Sequence, residues 1–461
     1  MQKSQHVHFI GIGGSGMSGI AGIMLGLGYR VTGSDLKPSA VTERLEALGV
    51  TCYTGHAEEN LGEADMVVAS TAIPPTNVEL VEARERELPV IHRGEMLAWL
   101  MRRQKGIAIA GAHGKTTTTS MTALVLEKNG LEPTIVIGGE LTDIGGNAKL
   151  GGGEYLVAEA DESDGSFLKL DPLIEVITNI EDDHLDYYKS VENIVAAFRQ
   201  FMAKVPEGGL AVVCFDDPKI RELLAEYSRP YQTYALDHPE ADYTMQNIRL
   251  NGQITAGDVY YRSAFLGCLE LSVPGRHNLS NALAVVAVGR FIGLSFEGIA
   301  AALKNFRGAG RRFQITGEVN GIKVIDDYAH HPSEIKATLK AAKQVKTGRV
   351  VGVFQPHRYT RTSILGERFG EAFNDADVII ISDIYSAGER PIEGVSAKMI
   401  VSAIEKHEGR EVIYLPTRQE IVDYLERTAR PGDMILTMGA GDIWSAGVEL
   451  VNRLKESQKI G

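Results

Sequence analysis

The stretch GIAIAGAHGKTTTTS, residues 106–120, constrains the fold more than any other part of this chain. An apolar run, Gly106 to Ala110, passes through Gly111 and Gly114 to Lys115 and Thr116, then into a helical pattern expected to be amphipathic from Thr118 to Lys128. A strand that turns through glycines directly into a helix is the building unit of parallel α/β sheets. The same unit makes a phosphate cradle. Glycines let backbone N–H groups approach an anion, the helix N-terminus favours negative charge, and a lysine reaches the terminal phosphates of a nucleotide. A full phosphate-loop spacing requires glycine at position 109, where the chain has Ile109, so the loop is a shortened one. The bland alternative is an ordinary strand-to-helix turn with an exposed lysine.

The same rhythm runs from end to end. HVHFIGI, YRVTGS, DMVVAS and PVIHR are strand candidates in the first hundred residues, with helical stretches Thr42 to Leu48 and Asn77 to Leu88 between them. GIAIAG opens a second series with YLVAEA, EVITNI and LAVVCF, followed by an irregular strand-like region from Tyr231 to Val273. After the glycine-rich break GAGRRF come IKVIDDY, RVVGVF, DVIIISD, EVIYLP and MILTMG. Three α/β domains are expected, over 1–104, 105–312 and 313–461, and 461 residues with 44% apolar content suffice for several cores.

Composition narrows the partners. A net charge of -13, with no basic block to offset it, argues against nucleic acid. No run of about 18 apolar residues occurs, so membrane insertion is not expected. Three scattered cysteines with no CxxC spacing predict neither a disulfide framework nor a zinc site, and point to a cytoplasmic protein. The oligomeric state is open, a homo-oligomer included.

A second glycine motif, GIGGSGMSG, carries Gly11, Gly13 and Gly16 in a GxGxxG pattern, and Asp35 follows YRVTGS where a ribose-binding acid would lie. A dinucleotide and a nucleotide sugar satisfy this pattern equally, because either presents a pyrophosphate to a helix N-terminus. Ligands of parallel sheets collect at the carboxyl ends of strands, so polar residues there are informative. They include Glu159, Asp161, Glu162 and Asp164 after YLVA, and Asp182, Asp183, His184 and Asp186 after EVITNI. Mg²⁺ between phosphate oxygens and Glu159, with His184 on a second metal, would reconcile these acids with ATP; a solvated acidic loop is the plain alternative. In the last third, Asp326, Asp327, Tyr328, His330 and His331 follow KVI, and His357, Arg358 and Arg361 follow VVGVF. Two neighbouring arginines can hold a carboxylate or an acyl phosphate by forked hydrogen bonds.

In order along the chain, GIGGSGMSG, GAHGKTTTT, EADESDGSFL, TNIEDDHLDYY, GRHNLSNALA, RRF, DDYAHHPSEI and FQPHRYTRT resemble the Mur ligase family of peptidoglycan synthesis. The resemblance spans essentially the whole chain. It implies a Rossmann-like N-terminal UDP-binding domain, a central P-loop ATPase-like domain and a Rossmann-like C-terminal domain. The implied activity is ATP-dependent ligation of L-alanine to the lactyl carboxylate of UDP-N-acetylmuramate through an acyl phosphate, with ATP and Mg²⁺. By matching motif positions, Gly111, Ala112, His113, Gly114, Lys115, Thr116 and Thr117 would hold ATP phosphates, with Asn278 and Asn281 near adenine and Asp327 near its ribose. Thr116, Glu159 and His184 would serve the metals. Gly13, Gly14, Ser15, Gly16, Met17 and Ser18, with Asp35, would take the UDP-sugar. Tyr328, His330, Arg358 and Arg361 would receive L-alanine, and Lys115, His330 and Arg358 would carry the chemistry. Other branches of the family place a carbamoylated lysine downstream of the metal histidine; Arg199 stands near that place here, so no such modification is expected.

Overall fold

The computed structural model describes residues 5–141, 146–252, 254–346 and 348–460. Strands β1 (His6–Ile10), β2 (Arg30–Asp35), β3 (Thr51–Thr54), β4 (Met66–Ala69) and β5 (Val90–His92) form a parallel sheet in the order β3–β2–β1–β4–β5. The order reverses beside β1, and the first glycine loop leaves from that switch point. A second, ten-stranded sheet contains β6 (Lys105–Ala110), β7 (Thr134–Leu141), β8 (Gly146–Lys149), β9 (Tyr155–Glu159), β10 (Ile174–Ile177) and β11 (Leu210–Cys214). It continues with β12 (Tyr231–Ala235), β13 (Tyr243–Asn251), β14 (Ile254–Tyr261) and β15 (Ala264–Leu271). The order is β15–β14–β13–β12–β11–β10–β6–β9–β7–β8. The third sheet, β16 (Gln314–Val319), β17 (Ile322–Asp327), β18 (Val350–Phe354), β19 (Val378–Ile381), β20 (Ile413–Tyr414) and β21 (Met434–Met438), runs β16–β17–β21–β18–β19–β20. It is parallel except for the antiparallel edge pair β16–β17.

The chain groups into two compact units. One comprises Met1–Gln246, Asp258–Leu269 and Ser280–Phe306, the other Asn247–Gly257, Glu270–Leu279 and Arg307–Gly461. In the second unit, separate apolar clusters lie around Phe354, Phe369 and Phe373 and around Val353, Ile380 and Ile435, as a sheet with helices on both faces requires. No helix among the described residues is long and apolar enough to cross a membrane.

The helix after the phosphate-loop motif corrects one expectation. It runs Lys115–Lys128, and Thr118, Thr119, Ser120, Met121 and Thr122 are all buried, so it is enclosed rather than amphipathic. Two of its buried hydroxyls bond to the preceding turn, Thr119 Oγ1 to the Lys115 carbonyl and Thr122 Oγ1 to the Thr118 carbonyl, each at 2.8 Å, whereas Thr118 Oγ1 and Ser120 Oγ are buried with no hydrogen-bond partner among the described residues.

Two buried carboxyls have opposite fates. Glu79 accepts hydrogen bonds from Ser34 Oγ at 2.5 Å and Asn60 Nδ2 at 2.6 Å, with His8 Nε2 at 3.6 Å. Burial pushes its pKa up, but these partners outweigh it and hold the carboxylate at about 2. Glu175, in the middle of β10, has both oxygens buried without a hydrogen-bond partner among the described residues, and Lys204 and Arg229 are too weakly coupled to offset desolvation. Its pKa is raised well above that of an ordinary carboxyl. The folded state therefore retains this proton longer than the unfolded chain, and stability is lost as pH rises from the ordinary carboxyl range through the raised value. Glu175→Gln removes that loss. Its melting temperature should exceed the parent's at pH 8 and converge with it near pH 4, as thermal unfolding across pH will show.

Candidate functional site

The phosphate loop is built by backbone geometry that only glycine adopts easily. Gly111 has φ +130° and Gly114 φ +81°, and the helix begins at Lys115. The residues that follow β10 clasp the loop from below. His113 N donates to Asn179 Oδ1 at 2.8 Å, Asn179 Nδ2 donates to the His113 carbonyl at 3.0 Å, and Thr178 Oγ1 donates to the same carbonyl at 2.5 Å. Ala112 N bonds to the Asn179 carbonyl at 3.2 Å. The sequence reading placed Thr178 and Asn179 in the strand EVITNI and in the family motif TNIEDDHLDYY, without giving either a role beneath the loop.

Lys115 lies inside this loop. Its Nζ donates to the Gly111 carbonyl at 2.6 Å, the Ala112 carbonyl at 3.2 Å and Glu162 Oε1 at 2.8 Å. Burial disfavours the ammonium, but Glu162, Glu159 and Asp161 outweigh that penalty and raise its pKa, so the lysine is a cation. Thr116 Oγ1 donates to Glu159 Oε2 at 3.0 Å, and the same oxygen accepts from Gly138 N at 2.9 Å. His184, held at φ +57°, places Nε2 3.6 Å from Glu162 Oε1. The structure thus brings Thr116 and Glu159 together, while His184 lies against Glu162, a residue not among those assigned to the metal. Glu162 Oε2 is buried and takes no hydrogen bond among the described residues. Hard oxygen donors and an orphaned carboxylate oxygen beside a phosphate loop are a donor set that suits Mg²⁺.

Thr117 is half-buried on the first turn. Asn281 closes the loop from another side, for a Cβ on Gly114 would lie 2.7 Å from its Oδ1. Asn278 is buried and donates through Nδ2 to the Pro274 carbonyl at 2.7 Å.

At the first glycine motif, Gly11 has φ +79°, Gly14 caps the helix Ser15–Gly26, and Met17 and Ser18 are buried on its first turns. Gly11 N and Ile12 N bond to the Ser34 carbonyl at 2.8 and 3.0 Å, and Gly13 N donates to Asp35 Oδ2 at 2.9 Å. Asp35 therefore spends one oxygen on shaping the loop. The end of β2 holds this turn, and Glu79 holds Ser34.

In the second unit, Asp327 accepts from Phe313 N and Ala329 N, each at 2.8 Å, and burial raises its pKa to about 6. Tyr328 has the guanidinium carbons of Arg311 and Arg312 5.0 and 5.1 Å from its ring centre. His330 packs edge-on against Tyr328 at 5.4 Å and sits 6.0 Å from His357, which stacks on Tyr385 at 5.8 Å. Arg361 Nη1 lies 3.2 Å from His357 Nδ1. Arg358 occupies φ +69°, an uncommon conformation for a side chain of this size. Tyr328, His330 and Arg361 thus share one aromatic and cationic cluster, with His357 between them; Tyr385 went unnoticed in the sequence.

Comparison with known proteins agrees with this architecture. Models of the Mur ligase family match residues 6–105 (catalytic domain), 109–289 (middle domain) and 311–441 (glutamate ligase domain). The chain is 86% identical over 461 residues, all of both chains, to the UDP-N-acetylmuramate--L-alanine ligase of Pelotomaculum thermopropionicum. Among solved structures, it superposes with a TM-score of 0.84 and 31% identity on the UDP-N-acetylmuramate-alanine ligase of Thermotoga maritima, covering 98% of this chain and 99% of that one. A murein peptide ligase of Psychrobacter arcticus follows with a TM-score of 0.73 and 26% identity, covering 98% and 99%. With matches along almost its full length and relatives this similar, the chain belongs to the Mur ligase family.

Proposed function

We propose that this chain uses ATP to join L-alanine to the lactyl carboxylate of UDP-N-acetylmuramate, in the cytoplasm, as a step of peptidoglycan precursor synthesis. On this reading residues 1–104 serve the UDP-sugar, 105–312 ATP and 313–461 the amino acid. The observation that carries it is the phosphate loop itself: a cationic Lys115 amid loop carbonyls, with Thr116 and Glu159 hydrogen-bonded beside it. A carboxylate at neutral pH resists an amine because oxide would have to leave. Attack of a lactyl oxygen on the γ-phosphorus of ATP gives an acyl phosphate and ADP. The alanine amine then attacks the carbonyl carbon, loses a proton and expels phosphate. Lys115 stabilises charge on the phosphoryl group in flight. Mg²⁺, held by Thr116, Glu159 and His184, would neutralise phosphate charge. His330 Nδ1 lies 3.0 Å from the Tyr328 carbonyl, an arrangement that favours a proton on Nδ1 and leaves Nε2 as the basic nitrogen for the amine's proton.

The deciding experiment incubates the protein with ATP, Mg²⁺, UDP-N-acetylmuramate, a panel of amino acids and a free tripeptide, and weighs the products. An L-alanine adduct with equimolar ADP supports the reading. A tripeptide adduct alone assigns the chain to peptide recycling, and ADP release without an adduct removes the ligase reading.

The alanine site has its own test. A free amino acid offers one carboxylate for orientation, and a forked guanidinium suits it. Losing a charge-assisted contact of this kind costs about 1.5–3 kcal/mol. Arg361→Ala should therefore raise the KM for alanine roughly 10–100-fold, leave the KM for ATP unchanged, and be only partly rescued by lysine. Initial rates with alanine varied will read this directly.

A further inference from the structure

The helix Arg93–Met101 begins with a residue that the sequence reading placed only at the end of the strand candidate PVIHR. The Arg93 side chain is only 18% exposed and, among the described residues, its ion-pair partner is Asp161, with Nη2 3.6 Å from Oδ2. That separation exceeds the 2.7–2.9 Å typical of a charge-assisted hydrogen bond. None of the guanidinium's five donors makes a hydrogen bond among the described residues.

Its position makes this loose pairing informative. A Cβ on Gly16 would lie 2.9 Å from Arg93 Nη1 and 3.1 Å from its Cδ, so the side chain fills the space that glycine leaves on the first turn of Ser15–Gly26. A cation at a helix N-terminus opposes the helix dipole and calls for an anion. Asp161 supplies one only at a distance, and its carboxylate is also held low by Lys115, by the hydrogen bond from Ser163 and by Arg93 against the cost of burial. Asp161 and Glu162 are consecutive, and Glu162 clasps Lys115 at 2.8 Å. His92, the preceding residue, points Nε2 at Asp164 of the same segment, 3.8 Å away. One end of one helix therefore connects the first glycine loop with the acidic segment that holds the phosphate-loop lysine.

We propose that Arg93 is a binding residue for the diphosphate of the sugar nucleotide, and that it exchanges Asp161 for that diphosphate when the nucleotide binds. The proposal rests on the assignment of the first glycine loop to a UDP-sugar. In the free protein Asp161 competes with the ligand for Arg93. In the complex Arg93 turns to the diphosphate, and Asp161 retains Lys115 and Ser163.

The test measures binding of UDP-N-acetylmuramate and of UDP alone by calorimetry, without ATP, to the full-length parent, Arg93→Ala, Arg93→Lys and Asp161→Asn. Arg93→Ala should weaken both ligands at least 10-fold, and lysine should recover part of the loss. Asp161→Asn should tighten both two- to fivefold, and that gain should vanish in the Arg93→Ala background. A merely structural pair predicts weaker or unchanged binding in Asp161→Asn. Equal UDP affinity in parent and Arg93→Ala, with melting temperatures matched, overturns the proposal while leaving the UDP-sugar assignment standing. Failure of the parent to bind either ligand overturns both.

Discussion

Replacing Lys115 with alanine should lower the rate of ADP formation roughly 10²–10³-fold, equivalent to about 3–4 kcal/mol of barrier, with UDP affinity within twofold of the parent. The phosphoryl group in transit spreads charge over its oxygens, and Lys115 is the cation that the loop carbonyls and Glu162 hold in place for it. Removing one partner of a buried ion pair also destabilises, because the remaining charge loses its compensation. Glu162, whose side chain is 3% exposed, would be that remainder. Lys115→Ala combined with Glu162→Gln should therefore regain melting temperature relative to the single variant without regaining activity. Single-turnover ADP release together with thermal unfolding separates the two effects. Near-parental turnover in a folded Lys115→Ala protein would remove the loop from the chemistry.

How much of this was legible beforehand follows from the physics of each element. Fully buried strands such as β11 and β18 announce themselves as apolar runs, and the glycines after β1 and β6 mark turns whose conformations other residues resist. Of the edge strands, β5 and β20 were read in PVIHR and EVIYLP, but β3 and β16 were missed. TCYT of β3 and QITGEV of β16 alternate too weakly to read, because partial exposure removes the apolar demand. The antiparallel pair β7–β8 broke the expectation of parallel sheets, its glycines masking the strands. Within the candidate site, the sequence offers residues adjacent in a motif, but not partners that meet only in three dimensions. Glu162 lay inside a segment already noted, yet nothing in its spacing distinguishes it from Glu159 as the partner of Lys115. Asn179 beneath the loop and Tyr385 against His357 depend on tertiary register that one sequence does not print.

Gly111→Ala should abolish detectable ATP binding, and a comparison among glycines shows why. An alanine at position 111 would have to adopt φ +130°, and its Cβ would lie 2.1 Å from Thr178 Oγ1 and 3.0 Å from Asn179 N and O. Two of those three atoms are backbone that belongs to the loop's own clasp, so relief requires moving the residues that hold His113. Strained φ costs about 1–2 kcal/mol and overpacking about 1–3 kcal/mol more. Gly130, with φ +76°, has nothing within 4 Å of its added Cβ. Gly130→Ala therefore isolates the conformational penalty: a loss of about 1 kcal/mol in stability, with ATP affinity unchanged. Adding Thr178→Ala to Gly111→Ala removes the nearest obstacle but neither the backbone contacts nor the strain, so recovery should be partial. Calorimetric titration with a non-hydrolysable ATP analogue across these variants gives the ranking parent equal to Gly130→Ala, then the double variant, then Gly111→Ala. If Gly111→Ala bound the analogue as tightly as Gly130→Ala, the backbone at Gly111 would not be what shapes the nucleotide site.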